Sequence, residues 1–247
     1  MTNTQPPLTK LQSLKLTNTT PVENANFAKD YRILNNNKLF LADKIKIKYN
    51  EELEGGGTTF GQRYQHVLKE LYPNRTFENC FEWCSGPGFI GFDLLSRNLC
   101  QNLYLSDIFP PALRSIRETI VNNQEFCEDR VFFCQSKAIS ELPADWKFDL
   151  VVSNPPHWNQ NSGQLITKIY YNYRITSDLN WELHNEFFTN IKKYLNPGAI
   201  ILLQEQSFAS GPDTFKEMIK NNGMYINDCY WEPESNNFYY LEVKVIE

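Results

Sequence analysis

The chain has 247 residues, 41% of them apolar, and a formal net charge of −5. That is enough for one large domain, or one domain with an extension, around a real core. The acidic balance argues against nucleic-acid binding over the whole surface, and no stretch approaches the roughly 20 apolar residues of a membrane span. Six cysteines, Cys80, Cys84, Cys100, Cys127, Cys134 and Cys229, show no Cys-x-x-Cys spacing. Several lie in apolar runs, which favours buried free thiols over disulfides or a metal site. With no apolar leader in Met1–Pro7, a cytoplasmic protein is expected.

Residues 1–26 are polar and rich in Thr and Asn, a loosely held lead-in. From Leu39 to Tyr49 the chain alternates, with Lys44, Lys46 and Lys48 set against Ile45, Ile47 and Tyr49. That is a half-buried strand. Its lysines read as a solvated face or a charged edge, with phosphate contact as the alternative. Gly55-Gly56-Gly57 then breaks regularity before a helix from Gln62 to Leu71. The glycines suit either a hinge or a backbone that comes close to a ligand.

Cys80-Phe81-Glu82-Trp83-Cys84-Ser85-Gly86-Pro87-Gly88 follows: an apolar strand, a glycine-rich turn, then a helix through Phe92, Leu94 and Leu95. The next strand, Leu103–Asp107, ends in a carboxylate 21 residues after Gly86. A glycine turn followed by such an acid is the arrangement that holds a nucleoside, the acid taking the ribose hydroxyls. Asp107 equally suits a cap for the helix that begins near Pro110 and runs from Leu113 to about Asn122. Short strands at Val131–Cys134 and Phe148–Ser153 continue the alternation, which implies a parallel sheet with right-handed crossovers.

Phe148–Ser153 stops at Asn154-Pro155-Pro156-His157-Trp158. Two prolines fix φ and lack N–H groups, and Asn154 before them is held extended. An Asn side chain is thus presented stiffly at the carboxyl end of a strand, where α/β sheets bind ligands. The long connection that follows carries Tyr170, Tyr171, Tyr173 and Arg174 and is placed to overhang that end. Trp181–Leu195 reads as an amphipathic helix, capped by Ser177 or Asp178 and ended by Pro197-Gly198. A buried strand at Ala199–Leu203, a helix at Phe215–Asn221 and two closing strands, Tyr225–Tyr230 and Phe238–Ile246, complete the chain. Those last two are joined by a short polar link and so are antiparallel. His66 and His184 read as surface or packed histidines.

Together these motifs resemble the class I S-adenosylmethionine-dependent methyltransferases. The likeness is to the branch with an Asn-Pro-Pro-aromatic motif, which includes release-factor glutamine methyltransferases and adenine-N6 methyltransferases. The motifs that carry it are Glu82–Gly88, Asp107 and Asp149–His157, and the likeness extends from about Phe60 onward. It implies a Rossmann-like, seven-stranded, mostly parallel α/β sheet with the last strand antiparallel. Residues 1–54 become an N-terminal extension with a short β element, and 55–247 the methyltransferase domain. It assigns S-adenosylmethionine to Glu82, Cys84, Ser85, Gly86, Gly88, Asp107, Ile108, Ser136, Lys137 and Asn154. Catalysis falls to Asn154, Pro155, Pro156 and His157; beside that reading, the flat face of Trp158 and the overhanging Tyr170, Tyr173 and Arg174 are expected to bind the acceptor. No metal is implied.

Three positions depart from the family pattern. Cys84 stands where the family has its first glycine, Ser136-Lys137 where an adenine-facing acid is frequent, and His157 where a Tyr or Phe is usual. The chemistry expected is N-methylation of a planar amide or amine nitrogen. The Asn154 oxygen and a Pro155 carbonyl each accept one N–H, so the nitrogen lone pair is directed at the methyl group. His157 either stacks on the acceptor or takes a proton. A protein Gln, a peptide or a small molecule is the favoured acceptor, for a monomer or homodimer. Adenine in RNA or DNA is the alternative, and a catalytically silent cofactor-binding protein the alternative of another class. A nicotinamide-dependent enzyme is disfavoured by the closing hairpin and the Asn-Pro-Pro turn.

Overall fold

The computed structural model describes residues 33–34, 38–50, 53–159, 177–232 and 237–246. Two sheets organise them. The larger has seven strands: β4 (Phe77–Trp83), β5 (Cys100–Asp107), β6 (Val131–Gln135), β7 (Phe148–Ser153), β8 (Leu195–Gln206), β9 (Met224–Trp231) and β10 (Phe238–Val245). Their spatial order is β6-β5-β4-β7-β8-β10-β9. Strands β4 to β8 pair in parallel. β10 inserts between β8 and β9 antiparallel to both, so the last strand alone runs against the rest. The strand order reverses between β4 and β7, and in such a sheet the crevice at that reversal is where a ligand sits.

The parallel strands are near-continuous apolar runs because helices cover both faces. Phe81, Leu103, Leu105, Leu150, Val151, Val152, Ile201, Leu202 and Leu203 are all fully buried. One face is packed by α1 (Tyr64–Leu71), α2 (Phe89–Ser96) and α3 (Pro110–Asn122), the other by α4 (Glu182–Asn190) and α5 (Lys216–Asn221).

Two sequence boundaries shift, each for a local reason. Pro197-Gly198 do not end a helix. They lie inside β8, in an irregularity where Phe148 and Leu150 of β7 face Leu195 and Ile200. The amphipathic helix stops at Asn190 and closes with the tight turn Ile191–Tyr194, which keeps Ile191 and Tyr194 buried. At its other end, Asp178 accepts the N–H groups of Leu183 (2.8 Å) and His184 (2.9 Å), the capping role expected of it.

The smaller sheet joins β1 (Ile33–Leu34), β2 (Leu39–Ala42) and β3 (Ile45–Lys48). Ile45, Ile47 and Tyr49 are buried with Phe89 in the main core, while Lys44 and Lys46 face solvent. The free edge of β3 is covered by side chains: the N–H groups of Lys44, Lys46 and Lys48 donate to Ser96 Oγ, Asn123 Oδ1 and Thr119 Oγ1. All six cysteines are free thiols.

Candidate active site

A cavity of about 490 Å³ opens at the carboxyl ends of β4, β5, β6 and β7. That lies within the roughly 300–1,000 Å³ of small-molecule sites. Its floor is the turn after β4, where Cys84, Gly86 and Gly88 all take positive φ (53°, 51° and 86°). Cys84 therefore keeps the left-handed backbone that a glycine would adopt freely. At Gly88 a Cβ would press into Phe92 and Leu105, so that position tolerates no side chain.

Two carboxylates hold this turn. Glu82 is buried, and its oxygens accept the N–H groups of Ile90 (3.3 Å) and Gly91 (2.7 Å) at the start of α2. Burial raises it to about 8, against the pull of those two N–H groups. Asp107, at the end of β5, accepts Gly86 N–H (2.8 Å) and Phe109 N–H (2.9 Å). Burial raises its pKa also, opposed by the backbone N–H groups of Phe109, Gly86 and Ile108. An ionised carboxylate has about four lone-pair sites, so acceptor capacity remains for a ligand.

Of the expected cofactor residues, Cys84, Gly86, Asp107, Ile108, Ser136, Lys137 and Asn154 line the cavity. Glu82, Ser85 and Gly88 lie behind it and shape the turn. Ser85 bridges to β5 through its N–H to Ser106 O, and its carbonyl accepts Gly88 N–H. Gly55 lines the wall, whereas Gly57 and Gly61 are there to let Phe89 pack close, so the glycine-rich loop serves ligand approach and packing together.

The Asn-Pro-Pro turn forms the far wall. Ser153 Oγ donates to Trp83 O (2.6 Å), and Tyr64 Oη donates to Ser153 O while accepting Gln204 N–H (2.9 Å). The end of β7 is thereby fastened to β4, β8 and α1. Asn154, Pro155, Pro156 and His157 all line the cavity. Asn154 Oδ1 is buried and has no protein hydrogen-bond partner. A buried acceptor left unpaired costs roughly 1–3 kcal/mol, which an N–H from a ligand would recover.

Trp158 points elsewhere. Its ring meets the exposed Phe208 (5.2 Å between centroids), and it is absent from the cavity wall. Tyr170, Tyr173 and Arg174 lie outside the described residues. The wall instead takes Phe60 and Phe238, which touch each other, Phe238 also meeting the His157 ring, together with Leu179, Glu182, Leu183 and Glu186. None of these carries a local motif; the fold brings them in from three other stretches. The one missed signal is Glu205, a fully buried carboxylate of β8 two residues beyond the apolar run Ile200–Leu203.

The cavity fits S-adenosylmethionine: a carboxylate with spare acceptors, a turn of close-approaching backbone, and an orphaned acceptor at the far wall. Comparison with known proteins points the same way. Residues 65–172 match the family described as the methyltransferase small domain. The chain is 31% identical over 94 residues to a release factor glutamine methyltransferase of Leptospira interrogans, covering 38% of this chain and 32% of that protein. It is 27% identical over 139 residues to one from Aquifex aeolicus, covering 55% and 48%. The chain thus spans a third to a half of the curated relatives it matches. In fold it resembles a Pyrococcus furiosus methyltransferase structure, with TM-score 0.58 at 13% identity over 82% of this chain and 89% of that one. Among the described residues no helix is long and apolar enough to cross a membrane. From fold, turn, carboxylate and Asn-Pro-Pro wall together, the chain resembles the class I S-adenosylmethionine-dependent methyltransferases, and residues 65–172 match the methyltransferase small domain.

Proposed function

We propose that this chain transfers a methyl group from S-adenosylmethionine to a planar amide or amine nitrogen, with a glutamine-type side chain of a protein or peptide, or a small molecule, as acceptor. The observation that carries the reading is the buried, unpartnered Asn154 Oδ1 on the cavity wall. When bound, the cofactor supplies an electrophilic methyl on a sulfonium. Asp107, Ile108, Ser136, Lys137, Ala138 and the Cys84–Gly86 turn would hold the cofactor, with the Asp107 carboxylate available to ribose hydroxyls.

Asn154 Oδ1 and the Pro155 carbonyl each accept one N–H of the acceptor. That aims the nitrogen lone pair and stabilises the positive charge that develops as the new bond forms. The prolines and the Ser153 tether keep this geometry from relaxing. Support for a glutamine-type acceptor comes from the relatives named for that activity. The carboxylates of Asp178, Glu182 and Glu186 on the wall disfavour a phosphate backbone close to the reacting centre.

Asn154→Ala should raise the barrier by about 2–4 kcal/mol, a loss of roughly 10²–10³ in kcat. Cofactor affinity, read by calorimetry, should change far less. The assay is radiolabelled methyl transfer to a glutamine-containing peptide, run beside an adenine-containing oligonucleotide. An unaltered rate in Asn154→Ala would sink the reading, and transfer to the oligonucleotide alone would move the acceptor to nucleic acid.

A further inference from the structure

Behind the Asn-Pro-Pro turn stand four ionisable side chains in a line. His157 Nδ1 lies 3.3 Å from Glu205 Oε2, Glu205 Oε1 lies 3.2 Å from His184 Nε2, and His184 Nδ1 lies 2.7 Å from Asp178 Oδ2. Glu205 and His184 are completely buried. The Ser210 hydroxyl donates to Glu205 Oε2 at 2.6 Å. The other groups that face this line are Cys84 from the β4 turn, Tyr64 from α1 and Tyr239 from β10, all neutral in their ordinary states.

The protonation pattern follows from the partners. Both ring nitrogens of His184 face carboxylates, which only accept, so both must carry hydrogen and the ring is an imidazolium. Its stacking on the face of Phe215, at 4.4 Å and 9°, suits a buried cation, and the Trp83 and Trp181 rings stand nearly perpendicular to it. Burial lowers its affinity for a proton, but Asp178 and Glu205 overcome that and raise it to about 9. Burial likewise works against the Glu205 charge, yet the hydrogen bonds from His157 and His184 hold it below the usual carboxylate range. Glu205 Oε2 can only accept, so His157 presents its proton on Nδ1. The lone pair of a neutral His157 then sits on Nε2, which has no protein partner among the described residues, in a side chain that lines the cavity.

We propose that His157 Nε2 accepts the proton released by the methylated nitrogen, with Glu205 and His184 as positioning residues that fix the imidazole with its proton on Nδ1. This rests on the methyl-transfer reading above and adds the route of the proton. The nitrogen lone pair forms the N–C bond, and the C–S bond breaks with its electron pair going to sulfur, which leaves as a neutral thioether. The nitrogen, now positive, sheds one N–H proton. The Asn154 and Pro155 oxygens hold N–H groups well but are too weakly basic to keep a proton. His157 takes it as a new Nε2–H bond and becomes an imidazolium on Glu205. Before transfer the line carries Asp178 and Glu205 negative against His184 positive; afterwards it is neutral, so the accepted proton is electrostatically matched. The phenyl or phenol that the family usually places here can stack but not serve as this base.

The first test needs no acceptor. Imidazole ¹⁵N spectra of the full chain, assigned with His157→Phe, should show neutral His157 with a pyrrole-type Nδ1 and a pyridine-type Nε2. Glu205→Gln should weaken that bias. A wild-type spectrum with the proton on Nε2 overturns the assignment, and decides it even if Glu205→Gln does not fold. The second test is methyl transfer to the glutamine-containing peptide. His157→Phe keeps a flat ring and should bind S-adenosylmethionine as before, yet lose on the order of 10²–10⁴ in kcat. Glu205→Gln should lose less, with KM little changed and the acid limb of the pH profile displaced. A His157→Phe enzyme with wild-type kcat and pH profile shows that the ring only stacks. If the wild-type chain methylates no peptide, the acceptor reading fails while the tautomer result stands by itself.

Discussion

At Cys84 one residue carries a cost the fold could avoid. Its φ of 53° is the left-handed conformation, in which a Cβ crowds the following carbonyl by roughly 1–2 kcal/mol. Glycine removes that strain but loses more chain entropy on folding, about 0.5–1 kcal/mol. Cys84→Gly is therefore expected to stabilise the protein by about 0.5–1 kcal/mol in urea unfolding, and the β-branched Cys84→Val to destabilise it. Burial of the thiol, then the charges of Asp107, Asp178, Glu82 and Glu205, hold the Cys84 pKa up, so it is no thiolate nucleophile. A Cys84→Gly variant less stable than the wild type would mean the packing of the thiol outweighs the backbone strain. The reading of this position as a tolerated replacement of glycine was available from the sequence, because a small side chain is all that the turn admits.

At the scale of elements, the β3 strand shows how a short edge is kept from pairing with another chain. Asn123, the residue that closes α3, uses its whole side chain for this. Oδ1 accepts Lys46 N–H at 2.9 Å, and Nδ2 donates to Lys46 O at 3.0 Å and Thr119 O at 2.7 Å. The amide thus stands in for a neighbouring strand at one rung of the ladder. Removing it leaves buried backbone groups of helix and strand unpaired, so Asn123→Ala should cost about 2–3 kcal/mol in urea unfolding. Asn123→Asp keeps the acceptor but loses both donors, and should still fall well below the wild type. Equal stability of all three proteins would show that solvent replaces these bonds at no cost. The alternation of lysine and isoleucine disclosed the strand and its buried face. It disclosed nothing of the edge, because Asn123 lies 77 residues from Lys46.

For the whole molecule, the buried ionisable groups set the pH range of stability. Glu82 and His184 both have folded pKa values above their ordinary ones, about 8 against 4.5 and about 9 against 6.5. Each binds its proton more tightly in the folded chain, so the stability it contributes is complete below the ordinary value and is lost as pH rises through the folded one. Glu205 has the opposite sign: its contribution is present above 4.5 and is lost as pH falls through its lowered value. Unfolding free energy should thus fall between about pH 4.5 and 9, Glu82 acting up to about 8 and His184 above 6.5, with roughly 3 kcal/mol from His184. His184→Gln, measured by urea unfolding across the same range, should be less stable at pH 6 by about 3–5 kcal/mol, since two buried carboxylates lose their cation. Its slope should be flatter. An unchanged slope would mean that His184 does not titrate with folding.

What the sequence determined by itself was everything written locally. Apolar runs marked the parallel strands. The turn after β4 and the acid 21 residues beyond Gly86 marked one wall of the cavity, and Asn154-Pro155-Pro156 marked another, because proline geometry and strand ends act over a few residues. What only the tertiary structure decided was which distant groups meet those motifs. Glu205 reaches His157 across 48 residues, and His184 joins them only because α4 packs across β8. Phe238 meets His157 and carries Phe60 with it from the opposite end of the domain, while Trp158, beside His157 in sequence, turns away to Phe208. The physical reason is range: backbone conformation is set by near neighbours, whereas a buried charge finds its partner wherever the packed core brings one within hydrogen-bonding distance.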